Sequence, residues 1–263
     1  MSLKIFLSYS SKDYELAKEI KEVLENCGLN VFLAHTSIEP TKSWEEEICK
    51  NLKECDVFIP ILTNNFKESN WTSQESGIAF NERKTILSLK IDIDPFGFLG
   101  QFQALNFNIS SSYELTKFEK KLEIIKTLMI NFSEEIRKSF IFSLKKTGGY
   151  KLGTAKCRFL KELEKISEFN EEEINEIIKS IINNPQLYDA HEVKPYLTEL
   201  IERYEKKVES NLKEEVMNKI KREEMRSEIL KAQEESNKPY LSDAVEGLLD
   251  HMRTIKEIHK LNQ

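Results

Sequence analysis

Trp71 and Glu75 are the two residues whose types and spacing most directly indicate chemistry. The pattern of residues 71–83 predicts a helix, and side chains four positions apart on a helix lie on the same face. Because this helix would follow a buried parallel strand, Glu75 should lie near the sheet edge where ligands bind in doubly wound folds. A carboxylate there can stabilise a developing positive charge or transfer a proton, and an indole can orient it. The pair is therefore a candidate catalytic site.

The same segment also has a purely structural interpretation. The order Thr72-Ser73-Gln74-Glu75 fits a capping box, in which Glu75 would fold back onto the first turn of the helix. The hydrophobic staple of that arrangement would pair Trp71 with Ser76, which is polar. If Asn70 caps the helix instead, Glu75 lies inside it and can face the sheet edge. The residues alone leave both alternatives open.

Composition and charge limit the classes of function. In this 263-residue chain, 40% of the residues are apolar and 32% are charged, which is enough apolar surface for a packed core. The net charge of −6 disfavours a nucleic-acid partner, because phosphate binding needs a basic surface. No apolar run reaches the roughly 20 residues of a membrane span, so we expect no membrane partner.

Cysteines, histidines and glycines give no sign of a metal or phosphate site. The four cysteines contain no CxxC pair, and the four histidines show no ligand spacing, so we predict no metal. The chain start lacks the layout of a signal peptide, and together with the cysteine usage this predicts a reduced, cytoplasmic location. Gly148 and Gly149 lack the GK[ST] ending of a phosphate loop and predict a turn.

Short apolar segments alternate with helical patterns along the first half of the chain. The predicted strands are residues 4–9, 30–33, 56–62, 84–91 and 104–109. A helical stripe after the first strand stops at Gly28, a residue type that commonly ends helices, and a further helix is expected over residues 113–131. This alternation predicts an α/β fold: a flavodoxin-like five-stranded parallel sheet with helices on both faces.

Charged helical patterns replace the strands after about residue 132, and they predict a mostly α-helical C-terminal domain. Asn184-Pro185 interrupts one helix, and a long charged helix is expected over residues 195–235, because proline is tolerated in a first helical turn. A short final helix would follow. We therefore predict three regions: residues 1–132, a helical domain at 133–205, and the long and final helices at 206–263.

Five segments of the first half occur in an order that one known family shares. They are IFLSYSSKD (5–13), VFL followed by SIEP (31–33 and 37–40), DVFIPIL with its exit (56–66), W-x-x-x-E (71–75), and PFGFLGQFQAL (95–105). Together they resemble a Toll/interleukin receptor (TIR) domain of the prokaryotic NAD-hydrolysing type. Many TIR domains carry aspartate after the second strand and glycine in the following BB loop. This chain has Ala34 or His35 and Thr41 in those places.

The resemblance implies cleavage of the bond between nicotinamide and ribose in NAD, with NAD as substrate and no cofactor. Glu75 would be the catalytic residue, stabilising an oxocarbenium-like ribose much as glycosidase carboxylates do. The residues implied to bind the substrate are Tyr9, Ser10, His35, Glu39 and Trp71. Water as the acceptor would give ADP-ribose, and an atom of the same molecule would give a cyclic isomer.

The resemblance further implies an NAD glycohydrolase or ADP-ribosyl cyclase acting in antiviral defence or signalling. Such a protein would form a homo-oligomer through TIR–TIR contacts, and its helical second half would respond to an unknown trigger or effector protein. One alternative is a non-enzymatic adaptor that acts only by TIR–TIR self-association. Another is an N-ribosyl transferase that acts on nucleosides.

Overall fold

The computed structural model of the protein describes residues 2–34, 44–107 and 118–236, and within these residues a parallel sheet organises the first half of the chain. Its strands are β1 (Lys4–Ser8), β2 (Asn30–Leu33), β3 (Val57–Leu62), β4 (Thr85–Ile86), β5 (Leu89–Lys90) and β6 (Leu105–Asn106). Their order is β2-β1-β3-β5-β6, with β4 also paired to β3. The predicted α/β class with a parallel sheet is confirmed. Residues 108 and 109, predicted as the end of the last strand, lie outside the described residues.

Helices follow most of the strands. In the described part of the second half, all regular secondary structure is helical. In the first half the helices are α1 (Tyr14–Asn26), α2 (Trp44–Glu54), α3 (Asn64–Glu68) and α4 (Asn70–Asn81). In the second half they are α5 (Phe118–Leu144), α6 (Tyr150–Ile166), α7 (Glu171–Asn183), α8 (Pro185–Tyr188), α9 (Val193–Arg203) and α10 (Ser210–Ser236). No helix among the described residues has the length and apolar character to cross a membrane. The prediction of a helical C-terminal part is confirmed.

The predicted fourth strand is two short strands, and a proline explains the interruption. β4 and β5 pair with β3 in one continuous register, Val57 with Thr85 and Ile61 with Leu89. The gap between them lies opposite Pro60, which has no N–H to donate to a neighbouring strand. One strand-like segment is therefore divided where its partner lacks a hydrogen-bond donor.

The core between the sheet and the helices α2 and α4 fixes the position of α4. Phe6 of β1 and Phe58 of β3 stack with their ring centroids 5.8 Å apart. Leu52 of α2 and Ala79 of α4 are buried in the same cluster. Side chains such as Leu7 point to the opposite face and are also buried. Both faces are thus covered, as a parallel sheet requires.

The end of α1 attaches the sheet to the helical half. Gly28 ends α1 with a positive φ of 81°, as its residue type predicts. A Cβ atom at Gly28 would lie only 2.1 Å from the carbonyl oxygen of Ser139 on α5. Ser143 of α5 also donates a hydrogen bond to the carbonyl of Asn26, at 3.3 Å. Since β2 begins two residues after Gly28, this contact lies at the edge where the parallel strands begin.

α5 has a kink directly after residue 131, where the helix was predicted to end, and a second helical segment continues beyond the kink to Leu144. The backbone of α5 leaves helical geometry only at Phe132, with φ −133° and ψ 39°. By internal contacts, Met1–Val208 form one compact unit and a second unit begins at Glu209. The division of the chain at residues 132 and 205 stays a prediction.

The prediction of a single long helix over residues 195–235 is wrong, because α9 and α10 are separate helices. The break contains neither glycine nor proline, and contacts with the loop before α7 hold it. The Tyr204 hydroxyl accepts a hydrogen bond from the Phe169 N–H at 3.4 Å, and Lys207 donates to the Phe169 carbonyl at 3.0 Å. Such contacts between distant residues override local helix propensity. Residues 237–263, which include the predicted final helix, lie outside the described residues.

Candidate functional site

The start of α4 decides which way Glu75 points. Ser69 is the cap, and its side chain accepts a hydrogen bond from the Thr72 N–H. The Thr72 hydroxyl is occupied elsewhere, donating to the carbonyl oxygens of Phe66 at 2.6 Å and Ser69 at 2.8 Å. The predicted capping box that starts at Thr72 is therefore wrong. The alternative prediction, with Asn70 as the cap, misses the observed cap by one residue. Glu75 lies inside the helix, as that second alternative requires.

Glu75 points from the second turn of α4 to the end of β1. Its side chain is almost completely buried, with 1% of the residue exposed. The Ser8 hydroxyl donates a hydrogen bond of 2.5 Å to Glu75 Oε2. Glu75 Oε1 is buried and has no hydrogen-bond partner among the described residues. A buried polar atom without a partner costs about 1–3 kcal/mol, so stability alone does not account for this carboxyl group.

Burial also changes the ionisation of this group. It raises the pKa of Glu75 from an ordinary 4.5 to about 7, and the hydrogen bond from Ser8 opposes that rise. Burial disfavours the charged carboxylate because the protein interior solvates it poorly. With this pKa, Glu75 exists in both protonation states near neutral pH, which is the condition for efficient proton transfer.

A cleft between α2 and α4 borders Glu75. Its volume is about 200 Å³, and its lining residues are Glu45, Ile48, Cys49, Trp71, Gln74, Glu75 and Ile78. Trp71 and Glu75 therefore share one cleft, in keeping with their four-residue spacing. The segment 35–43, which contains His35 and Glu39, lies outside the described residues, so only the α2 and α4 walls can be described.

Tyr9 and Ser10 continue the chain directly after β1. Both are buried, and they lie at the same sheet edge as Ser8 and Glu75. Neither lines the cleft between α2 and α4. The structure thus brings them close to Glu75 in the fold, and their contact with a substrate stays a prediction.

Asp13 ties together the two loops that support this edge. Thr63 donates a hydrogen bond to one Asp13 carboxylate oxygen at 2.6 Å, and Asn65 donates to the other at 2.7 Å. Thr63 also accepts a hydrogen bond from the Phe66 N–H at 3.0 Å and so caps α3. The exits of β1 and β3 are thereby fixed relative to each other, and with them the start of α4.

The segment 95–105 supports α4 from the side away from β1. Phe98 stacks on Phe80 of α4 with ring centroids 4.8 Å apart. Leu99 is buried in the core cluster. The segment that contributed to the family resemblance therefore acts here as a packing support for the helix that carries Glu75.

Ser8 is the one contact of Glu75 that we did not predict from the sequence. It is the last residue of β1, and strand alternation places its side chain on the same face as Phe6. A polar residue on an apolar face, at the end of a parallel strand, was the available signal. Among the described residues, no group of three or more histidine, cysteine or acidic side chains is arranged to hold a metal ion.

Comparison with known proteins finds a family model that matches the first half of the chain. The family model described as TIR domain matches residues 5–122, from β1 to the start of α5. A probable 2′ cyclic ADP-D-ribose synthase, BdTIR, of Brachypodium distachyon is 27% identical over 94 residues. That match covers 35% of this chain and 42% of the plant protein, so this chain spans less than half of that relative's length.

Two solved structures have similar folds at low sequence identity. The TIR domain of the Toll-related receptor TRR-2 from Hydra magnipapillata is 16% identical, with a TM-score of 0.38 over 51% of this chain and 97% of that one. The TIR domains of the activated Roq1 resistosome, which directly recognises the pathogen effector XopQ, are 15% identical. Their TM-score is 0.34 over 62% of this chain and 99% of that one. Because the TIR-domain family model matches residues 5–122 and the parallel sheet is formed from this part of the chain, residues 5–122 are a TIR domain.

Proposed function

We propose that this chain cleaves the bond between nicotinamide and ribose in NAD, as an NAD glycohydrolase or ADP-ribosyl cyclase. The observation that carries the proposal is Glu75, a buried carboxyl group with one unpartnered oxygen. It borders the cleft between α2 and α4 and accepts a hydrogen bond from Ser8 at the carboxyl end of β1. The relative named as a cyclic ADP-ribose synthase supports NAD as the substrate.

In the proposed reaction, the bond from ribose C1 to the nicotinamide nitrogen breaks. Nicotinamide leaves with the bonding electron pair as a neutral molecule, and the ribose becomes an oxocarbenium-like cation. Ionised Glu75 stabilises that cation from within a site of low polarity, where such an interaction is stronger than in water. Trp71, in the same cleft, orients the carboxyl group or stacks on a ring of the substrate.

The acceptor determines the product. When water attacks C1, Glu75 accepts the proton that the water loses, and the product is ADP-ribose. When a ribose hydroxyl of the same molecule attacks, Glu75 likewise accepts the hydroxyl proton. When an adenine nitrogen attacks with its lone pair, the positive charge passes to the base. Either product is a cyclic ADP-ribose isomer. Tyr9, Ser10, His35 and Glu39 are proposed to hold the substrate at the same edge of the sheet.

We also propose the setting in which this activity operates. TIR–TIR contacts would assemble the active form, and the helical second half would respond to a trigger during antiviral defence or signalling. The four cysteines, all within the described residues, form no disulfide with one another, and a reduced, cytoplasmic location is part of this proposal.

The test incubates the purified full chain with NAD, follows nicotinamide release by chromatography and identifies the products by mass spectrometry. Nucleosides are offered in parallel samples. Nicotinamide release, with ADP-ribose or a cyclic isomer as the second product, is the expected result. Base release from nucleosides but not from NAD would identify an N-ribosyl transferase instead. No turnover of either substrate by the assembled protein would favour a TIR adaptor.

A further inference from the structure

Ser8 presents its hydroxyl to Glu75 from a rigid position. It is fully buried and ends β1, and its backbone pairs with Pro60 of the central strand. Because β1 lies between β2 and β3 in the sheet, its end has little freedom to move. The 2.5 Å distance to Glu75 Oε2 lies in the range of hydrogen bonds that a hydroxyl donates to a carboxylate.

This contact leaves the two oxygens of Glu75 in different situations. Oε2 accepts the hydrogen bond from Ser8, whereas Oε1 has no partner among the described residues. With Oε2 held by the end of β1, the carboxyl group cannot turn to exchange its oxygens without breaking that bond. The unpartnered oxygen, which is itself buried, thus lies beside the cleft without a hydrogen-bond partner among the described residues.

We propose that Ser8 is a positioning residue, which holds Glu75 in one orientation and favours its ionised form, so that Oε1 is ready to stabilise a cationic ribose. This inference rests on the proposed function and adds a second residue to its site. A hydroxyl can donate to a carboxylate, and such a bond stabilises the ionised form of the acid over the neutral form.

The charged and titratable groups on the neighbouring elements do not account for stabilisation of the ionised form of Glu75, whereas Ser8 does. Glu45 and Cys49 of α2 line the same cleft. On α3, Lys67 and Glu68 are exposed and engage groups outside the cleft. β3 contributes no charged residue. Burial and the hydrogen bond from Ser8 are the two causes that shift the pKa of Glu75, and only the second favours the carboxylate.

Ser88 provides a matched control for removing a buried serine hydroxyl. The continuous register of β4 and β5 with β3 places Ser88 opposite Pro60, in the same row and on the same face as Ser8. It is fully buried, and its hydroxyl has no hydrogen-bond partner among the described residues. Ser88→Ala removes the same atom from the same face without touching a carboxyl group.

The experiment measures nicotinamide release by the full chain from pH 5.5 to 9.5 for wild type and three variants. In Ser8→Ala the acidic limb of the profile should move to higher pH by about one unit, so that the rate at pH 6.5 falls about tenfold more than the rate at pH 9. Ser8→Thr, which keeps the hydroxyl, should bring the acidic limb most of the way back to its wild-type pH. Ser88→Ala should have the same pH profile as wild type. An unmoved limb in Ser8→Ala, or an equal shift in Ser88→Ala, would overturn the proposal.

A carboxyl-carbon NMR titration separates this inference from the proposed function. The Glu75 signal is assigned by its loss in Glu75→Gln, and its midpoint is followed in wild type and Ser8→Ala. A higher midpoint in Ser8→Ala supports the positioning role even if that variant is inactive at every pH. An unchanged midpoint overturns it. If wild type releases no nicotinamide, the proposed function fails, and this titration still decides whether Ser8 controls Glu75.

Discussion

Glu75 combines two properties that oppose each other in a stable protein, an ionisable carboxyl group and nearly complete burial. Burial raises the pKa of Glu75 to about 7, so folding disfavours its charged form. Ser8 donates a hydrogen bond to one of its two carboxyl oxygens, and the other has no partner among the described residues. Active sites commonly accept such a cost in stability, because the reaction needs the perturbed group.

Replacing Glu75 should therefore stabilise the protein in a pH-dependent way. Between pH 4.5 and about 7 the folded state binds more protons than the unfolded state, so the free energy of unfolding falls as pH rises through that window. Glu75→Gln removes this dependence. We expect it to exceed wild type in unfolding free energy by on the order of 1–3 kcal/mol at pH 8.5, and by much less at pH 5.

Urea denaturation at the two pH values provides this measurement. Glu82→Gln is the matched control, because Glu82 follows the last residue of the same helix and is exposed. A Glu75→Gln advantage that is equal at both pH values would show that burial does not perturb the ionisation of Glu75.

At the scale of elements, Asp13 links the loops after β1 and β3 and so fixes where α4 starts. Asp13→Ala removes two hydrogen bonds to a carboxylate and should lower the unfolding free energy by about 2 kcal/mol. It should also lower the rate of nicotinamide release, because Glu75 depends on the position of α4. Asp56→Ala is the control: Asp56 accepts the Lys4 N–H at 2.8 Å, at the opposite end of β1. A loss of stability without loss of turnover in Asp13→Ala would contradict this role.

The sequence predicted elements where local pattern determines them, and failed where contacts between distant residues do. β2 has the predicted bounds, and Gly28 ends α1 as expected. At the start of α4, Ser69 and Asn70 both have side chains suited to capping, and pattern alone does not choose between them. Glu75 could be singled out by its spacing from Trp71. Ser8 is a polar residue at the end of an apolar strand, but its pairing with Glu75 could not be predicted, because 67 residues separate the two in the chain.

At the scale of the molecule, α5 and the candidate site lie at opposite edges of the sheet. Glu75 lies where the strands end, whereas Gly28 and Ser139 meet where they begin. Lys156 of α6 strengthens that second contact by donating to the Ser143 carbonyl at 2.7 Å. Burial lowers the pKa of Lys156 to about 8, as expected of a lysine held inside an interface.

Gly28→Ala tests how closely the two halves are joined. The variant must adopt a positive φ and also move Ser139 away, since its Cβ would lie 2.1 Å from the Ser139 carbonyl oxygen. We expect a loss of about 3 kcal/mol in unfolding free energy. Gly97→Ala also requires a positive φ, of 55°, but its Cβ would meet no atom within 4 Å, so it should lose only about 1 kcal/mol. Equal losses in thermal or urea denaturation would show that the junction is loose.

Nicotinamide release from NAD by Glu75→Gln, compared with wild type at pH 8 and at several protein concentrations, tests the central claim most directly. The variant keeps the size and burial of the side chain but cannot become a carboxylate. We predict that it folds and loses at least about 100-fold in turnover, the low end of what one acid–base group contributes. A folded Glu75→Gln protein that releases nicotinamide at the wild-type rate would contradict the assignment of Glu75.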